Sequence, residues 1–406
     1  MAARPKPDYS SVETVTVSRA WRSELFASGE WSKQKNNQVL VAYNAKIKTM
    51  KIFFDARWTR TDRHDGVSRY SANLLGALAR IHPVTAIIHN KDQLKLLPEG
   101  IDYTILNNPF SPRELFMGYT LNKLGADVVF SPLQYMGGLG RKYKLILTIH
   151  DLIYYRHPKP PGFLPLPVRM VWRLYHLTFG PQRWLLNRAD HVAAVSETTK
   201  RYMLKHRITK HPIDVVYNAP QETFLRPTKL QKTPTKDIVF MGSFMPYKNV
   251  ECLIQSLEFL PGYTLHLLSK IVPERKAELL ELAPKGAKIK FWNGISDEAY
   301  CALLAHATAL VSASKEEGFG LPLVEGMMQG VPVVCSDIEI FHEVAGKAAL
   351  FFDPNSPKEC AKQIHKLENP KLRAELIKKG PKQASKFSWD NSAEALLATM
   401  KRLYKQ

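Results

Sequence analysis

The sequence predicts an α/β protein made of two Rossmann-like halves, each a doubly wound parallel sheet, that face one another across a cleft. Three observations predict it. From residue 51 onward, short apolar runs alternate with segments of helical periodicity, the pattern of parallel strands covered by helices. The alternation stops at a proline- and threonine-containing stretch, 226–234, and then restarts. Glycine-containing turns also stand where strands hand over to helices, the carboxyl-end position at which open α/β sheets bind ligands.

Residues 1–49 are polar and weakly periodic, and read as a mobile extension or as a start assigned upstream of a true initiator, Met50. The first half, 50–225, has candidate strands at 52–54, 85–88, 128–130, 145–149, 191–195 and 213–217, each bounded by polar or turn residues, with helical spacing at 71–80. The segment 226–234 reads as the interdomain linker. The second half, 235–406, has candidate strands at 237–241, 263–268, 288–292, 308–312 and 332–335. Its helical segments include 250–259, 297–306 and 323–329, and an amphipathic helix over 389–404 begun by Ser388 or Asp390.

Length and composition narrow the classes. A chain of 406 residues supplies two ordinary cores. No apolar run reaches the ~18–20 residues that cross a bilayer, and no basic-then-apolar leader opens the chain, so a cytoplasmic protein is expected. Cys252, Cys301, Cys335 and Cys360 are widely spaced and form no CxxC pair, which fits a reducing compartment. Most of the net charge of +20 falls between residues 51 and 230. Such a surface attracts nucleic acid, anionic lipid or acidic glycan. With no helix-turn-helix, zinc-finger or RNP-type signature, nucleic acid is not the expected partner. The stretch 169–188 mixes Val171, Trp172, Leu174, Leu177 and Trp184 with Arg173, Arg183 and Arg188. It fits a helix lying on an anionic membrane surface. Because Gly180-Pro181 interrupts it, it also fits two short core-packed helices with solvated arginines.

Ser314-Lys315-Glu316-Glu317-Gly318-Phe319-Gly320-Leu321-Pro322-Leu323-Val324-Glu325 carries the most chemistry. Two carboxylates, Glu317 and Glu325, flank a glycine-rich turn between a buried strand and a helix. Unpaired N–H groups and the positive end of the helix dipole suit phosphate or sugar oxygens, and Gly318 and Gly320 permit close approach. Glu317 enters from the loop and Glu325 from the first helical turn. The plainer alternative is that Glu325 only complements its own helix dipole while Glu317 is solvated. With Gly330-Val331-Pro332-Val333-Val334 following, the segment resembles the Glu-x7-Glu signature of the retaining family-4 glycosyltransferases, whose fold is GT-B. The resemblance extends over residues 51–406 and is strongest in the second half.

Further motifs fit the resemblance. Asp65-Gly66-Val67-Ser68-Arg69-Tyr70 resembles the glycine-containing loop before the first helix, where Gly66 permits close approach and Arg69 offers a charge to phosphate or acceptor; an ordinary turn is the alternative. His150-Asp151 ends an apolar strand, as the family's His-Asp element does. By resemblance, His150 contacts the transferred sugar and Asp151 or the backbone holds its loop. In Met241-Gly242-Ser243-Phe244-Met245-Pro246-Tyr247-Lys248-Asn249, Lys248 matches the lysine at the donor diphosphate. Ser243 and Tyr247 stand where members often carry arginine, so one cation is missing, with Arg69 or Lys270 as substitutes. The loop containing Ile295 resembles the one laid against the nucleotide base, and Ser296 also suits a helix N-cap.

The resemblance implies a hexosyltransferase with catalytic His150, Lys248 and Glu317. Its implied donor-binding set is Gly66, Arg69, Gly242, Ser243, Lys248, Ile295, Glu317, Gly318, Phe319, Gly320, Leu321 and Glu325. No cofactor and no metal are expected, since the chain has no Asp-x-Asp pair and no zinc-type His/Cys spacing. The expected partners are a nucleoside diphosphate sugar, GDP-mannose ahead of UDP-glucose, and a glycan or lipid-linked acceptor of cell-surface polysaccharide synthesis, with contact to the inner face of an anionic membrane. A catalytically weak protein that docks on anionic lipid or a polyanion through its basic first half is the alternative.

Overall fold

The computed structural model describes residues 49–160, 164–225 and 235–406. The expected extension, save its last residue, and the expected linker at 226–234 lie outside the described residues. Among the described residues, the first half runs β1 (Ile52–Asp55), α1 (Gly66–Ile81), β2 (Val84–Ile88), β3 (Tyr103–Ile105), α2 (Met117–Lys123), β4 (Val128–Ser131) and β5 (Lys144–Ile149). It continues through α3 (Ile153–Arg156), α4 (Leu166–His176), α5 (Gly180–Leu186), β6 (His191–Ala194), α6 (Glu197–Lys205) and β7 (Ile213–Val215). The second half runs β8 (Asp237–Phe240), α7 (Val250–Ser256), β9 (Thr264–Leu267), α8 (Pro273–Glu281), β10 (Lys288–Phe291), α9 (Asp297–His306) and β11 (Ala309–Ser312). After these come α10 (Leu321–Met328), β12 (Val333–Ser336), α11 (Glu339–Ala345), β13 (Ala349–Phe352), α12 (Pro357–Lys366), α13 (Pro370–Ala384) and α14 (Trp389–Tyr404).

The strands form two all-parallel sheets, ordered β3-β2-β1-β4-β5-β6-β7 and β10-β9-β8-β11-β12-β13. Strands such as β1, β4 and β11 are buried along their whole length. Covered on both faces by helices, they are apolar without alternation, which is why they stand out in the sequence. Each order reverses once, between β1 and β4 and between β8 and β11. Loops diverge there and leave a crevice at the carboxyl ends of the strands.

Two strands escape the sequence pattern. In β3, Tyr103 and Ile105 are exposed on a sheet edge, so no apolar run marks it. β13 follows the apolar end of α11 so closely that the two merge into one run. α1 starts at Gly66 rather than near residue 71, because the Asp65 carboxylate accepts the Ser68 N–H at 2.9 Å and caps the first turn. The expected loop at 65–70 is therefore a cap and the opening turns of a helix.

Several contacts join the halves. α14 is capped by Ser388, whose hydroxyl accepts the Asn391 N–H at 3.2 Å, and its residues reach back to the first half. Trp389 Nε1 donates to the Pro220 carbonyl at 3.0 Å, and Thr399 Oγ1 donates to Asp214 at 2.5 Å. On the other side of the crevice, the Glu343 carboxylate of α11 accepts the N–H groups of Glu197 and Thr198 at 2.7 Å each, capping α6 from the opposite half.

Candidate active site

The second switch point builds the center of the site. After β8 the chain makes one 3₁₀ turn, Pro246–Lys248, and Asn249 adopts a left-handed φ of 53° before α7 begins. Asn249 Nδ2 donates to the Ala313 carbonyl at 3.0 Å and to the Pro354 carbonyl at 2.7 Å, which fixes this loop against the end of β11. The Lys315 N–H adds a bond to the Tyr247 carbonyl at 2.8 Å. These ties bring Lys248 Nζ to 2.5 Å from Glu317 Oε1, and Ser314 Oγ donates to the same oxygen at 2.8 Å. Lys248 is thus an ion-paired cation here.

Glycines set the approach of the two halves. Gly320 precedes α10 with φ 98°, a conformation that side chains other than glycine rarely adopt. A Cβ on Gly318 would lie 2.3 Å from the backbone oxygen of His150, so only glycine lets the turn press against the first half. Ser196 Oγ donates to the Gly318 carbonyl at 3.0 Å across the same seam.

His150 leaves β5 at its carboxyl end. A carbonyl only accepts, so the 2.8 Å contact between His150 Nε2 and Pro132 O places the ring proton on Nε2 and leaves Nδ1 as an acceptor. Burial holds the imidazole below its ordinary pKa, which keeps it neutral. Asp151 Oδ1 accepts the Ile153 N–H at 3.1 Å and so holds the loop. A cavity of about 300 Å³ opens between these groups, lined by Gly66, His150, Asp151, Asn218, Lys248, Glu317 and the turn Gly318-Phe319-Gly320-Leu321.

Other expected site residues sit elsewhere. Arg69 pairs with Asp297 at 3.2 Å across the crevice, so its charge is already engaged. Gly242, Ser243, Ile295 and Glu325 are not among the residues lining this cavity. Ile295 packs on the main core. Phe319 contributes only its backbone side, because its ring turns into the core, 5.2 Å from the Phe387 ring and 6.2 Å from that of Tyr217. α10 begins at Leu321, with Pro322 in its first turn where no intrahelical N–H is needed, so Glu325 lies in the second turn rather than the first. It is buried, at 8 % exposure, and does not cap its helix.

Burial pushes the Glu325 carboxyl up to about 7; Arg69 opposes the shift and Asp297 adds to it. The folded protein therefore holds this proton more tightly than the unfolded chain, whose ordinary value is 4.5. The sign follows: the stabilization is present below that ordinary value and is lost as pH rises through about 7. Glu325→Gln, which stays neutral, should match the parent protein in urea unfolding at pH 4 and exceed it by roughly 3 kcal/mol at pH 8. Equal stabilities at pH 8 would contradict the assignment.

Asn218 lines the cavity, Ser314 bonds Glu317 and Glu316 reaches the first half, and the motif reading assigned a role to none of the three. Glu316 lies 3.3 Å from Arg156 and 3.2 Å from His157, both of the opposite half, and burial raises its carboxyl to about 7. Nothing in its local pattern separates it from Glu317. A larger open groove of about 1020 Å³ lies beside Tyr263 and Lys288, at the amino ends of β9 and β10. That is the wrong end of a parallel sheet for ligand chemistry, and the glycine turn is remote from it. Among the described residues, no group of three or more His, Cys, Asp or Glu side chains is placed to hold a metal, and no helix is long and apolar enough to cross a membrane.

Two parallel-sheet halves bring a glycine turn, a lysine and a carboxylate together at their shared crevice, the layout of a GT-B fold. Two sequence profiles match in succession: "Glycosyltransferase Family 4" over residues 64–219 and "Glycosyl transferases group 1" over residues 221–383. The chain belongs to the family-4 glycosyltransferases. It is 26% identical over 345 residues, 80% of this chain and 93% of the relative, to the O-antigen chain mannosyltransferase RfbU of Salmonella typhimurium. It is 27% identical over 278 residues, 65% of this chain and 71% of the relative, to the O-antigen chain mannosyltransferase B of Escherichia coli. Among solved structures, sucrose-phosphate synthase from Thermosynechococcus elongatus superposes with a TM-score of 0.69 at 17% identity, covering 88% of this chain and 99% of that one. Anabaena Alr3699/HepE in complex with UDP and glucose superposes at 0.65 and 17%, covering 87% and 99%. These structural likenesses carry the fold.

Proposed function

We propose that the protein transfers a hexose of mannose or glucose type from a nucleoside diphosphate sugar to a hydroxyl of a glycan or lipid-linked acceptor, with retention and without a metal. The observation that carries this reading is the meeting of Lys248 and Glu317 beside the amides of the Gly318–Gly320 turn, opposite neutral His150. On donor binding, Lys248 exchanges its partner Glu317 for diphosphate oxygens, and Glu317 is freed to accept sugar hydroxyls. As the bond from the anomeric carbon to phosphate oxygen breaks, the acceptor oxygen bonds that carbon on the same face. The acceptor proton passes to the departing phosphate. Lys248 and the N-terminal amides of α10 bear the charge that builds there. His150 Nδ1 accepts a hydroxyl of the transferred sugar, and Glu325 binds ribose hydroxyls in its ionized form.

The names of the relatives favor mannose, hence GDP-mannose, and surface polysaccharide as product. The position at the inner face of a membrane is supported by α4, which buries none of its residues completely and exposes Leu166, Met170 and Leu174 along one side, with Leu177 just past its end. With Arg169 and Arg173 on the same helix, this surface suits anionic headgroups.

The test is release of GDP or UDP from a panel of sugar nucleotides, with the product anomer read by NMR. GDP release from GDP-mannose, an α-linked product and full activity in EDTA are expected. Release from no donor, or activity lost in EDTA and restored by Mn²⁺, would overturn the reading or its metal-free form respectively.

A further inference from the structure

A second cavity, of about 260 Å³, lies in the first half alone and shares His150 and Asp151 with the donor cavity. Whatever fills it therefore abuts the sugar to be transferred. Its walls are aromatic and amide. The inner face of α4 supplies Trp172 and His176, and α3 supplies Tyr154, whose ring meets that of Trp172 edge-on at 4.7 Å. Gln182 Nε2 donates to Gln134 Oε1 at 2.9 Å, Gln182 Oε1 accepts from the Tyr175 hydroxyl at 2.8 Å, and Gln134 Nε2 donates to the Tyr135 hydroxyl at 3.1 Å. This chain holds both amides in one orientation and leaves each NH₂ a second hydrogen to offer.

Charge narrows the occupant. The half that carries most of a +20 surplus contributes neither lysine nor arginine to the lining of this cavity. The arginines of α4 stand outside that lining. The Asp151 carboxylate is bound to the Ile153 N–H, and burial holds His150 and His176 below their ordinary pKa, hence neutral. An anionic ligand would be desolvated here with no cation to meet it. A neutral pyranose has one apolar C–H face for the aromatic rings and hydroxyl edges for the amides.

From this we infer that the cavity is the acceptor subsite and is built for an uncharged terminal pyranose, stacked against Trp172 and Tyr154 and held at its hydroxyls by Gln134 and Gln182. Anionic sugars and phosphorylated cores are excluded from it. The inference rests on the transfer reading, which supplies the need for an acceptor beside His150.

Saturation-transfer NMR of the full chain with methyl α-D-mannopyranoside, and with methyl α-D-glucopyranosiduronate as the charged counterpart, tests it. The neutral glycoside should bind, with the uronate at least tenfold weaker. Trp172→Leu should weaken the neutral glycoside about tenfold, and Trp172→Phe should restore most of it, as flat stacking requires. Gln134→Leu, which removes an amide and leaves the aromatic rings in place, should also weaken it and serves if Trp172→Leu fails to fold. Equal or tighter uronate binding, or neutral-glycoside binding indifferent to both substitutions, overturns the inference. GDP and UDP are titrated separately: if neither binds, the sugar-nucleotide reading falls, while glycoside binding still decides the character of this cavity.

Discussion

Lys248→Ala lowers kcat for transfer and for donor hydrolysis by on the order of 10²–10³-fold, the usual effect of removing one preorganized group from a developing anion. The structure sharpens this expectation in two ways. Ser243 and Tyr247 bring no charge to the β8–α7 loop, and Arg69 is held by Asp297 at 3.2 Å, so little stands ready to replace the ammonium. Removing Lys248 also strips Glu317 of its 2.5 Å partner and leaves a part-buried carboxylate without its counter-charge. Donor affinity should therefore fall together with kcat. Lys248→Arg is the informative companion: it keeps the charge but not the short reach, so it should recover donor affinity more than kcat. Wild-type rates of nucleotide release by Lys248→Ala would remove the lysine from the mechanism.

What could be read from the chain follows from how each feature is encoded. His150, Lys248 and Glu317 each lie just beyond a buried strand, so an apolar run and a following turn locate them without knowledge of the fold. Their placement at one crevice then follows from two parallel sheets. Features that depend on the meeting of distant segments were hidden. Arg69 and Asp297 are 228 positions apart, and neither neighborhood announces an ion pair. Glu325 reads as an acid of the first helical turn, but its burial to 8 % exposure, with Arg69 of the opposite half among its charged neighbors, is announced by no spacing. Phe319 sits inside the motif and still turns its ring toward the core, because Tyr217 and Phe387 arrive from elsewhere to pack against it. Trp172 was visible as an aromatic among arginines, but the same pattern serves a membrane face and a core. Only the fold shows that α4 lines a cavity with Trp172 and His176 and leaves Leu166, Met170 and Leu174 exposed. Within 169–188, the structure places α4 and α5 on either side of a break and starts α5 at Gly180.

Gly320→Ala is the second large effect, and its cause is geometric rather than chemical. The backbone there is at φ 98° and ψ 48°, where a Cβ costs about 1–3 kcal/mol in local strain. The added carbon would also lie 2.8 Å from Cε1 of Phe341, a residue with no exposed surface and hence no room to retreat. Either the turn gives way or α11 does. Since the Gly318–Gly320 amides and Glu317 share that turn, a shift of about 1 Å at the glycines displaces every donor-binding group on it, enough to cost on the order of 10²-fold in rate. Urea unfolding and transfer rate measured on the same sample separate the two contributions. Phe341→Leu in the Gly320→Ala background removes the clash but not the left-handed strain. It should therefore return part of the stability while the rate stays low. A Gly320→Ala protein with wild-type rate would show that the turn tolerates another backbone shape, and that the amides of α10 are not what positions the sugar.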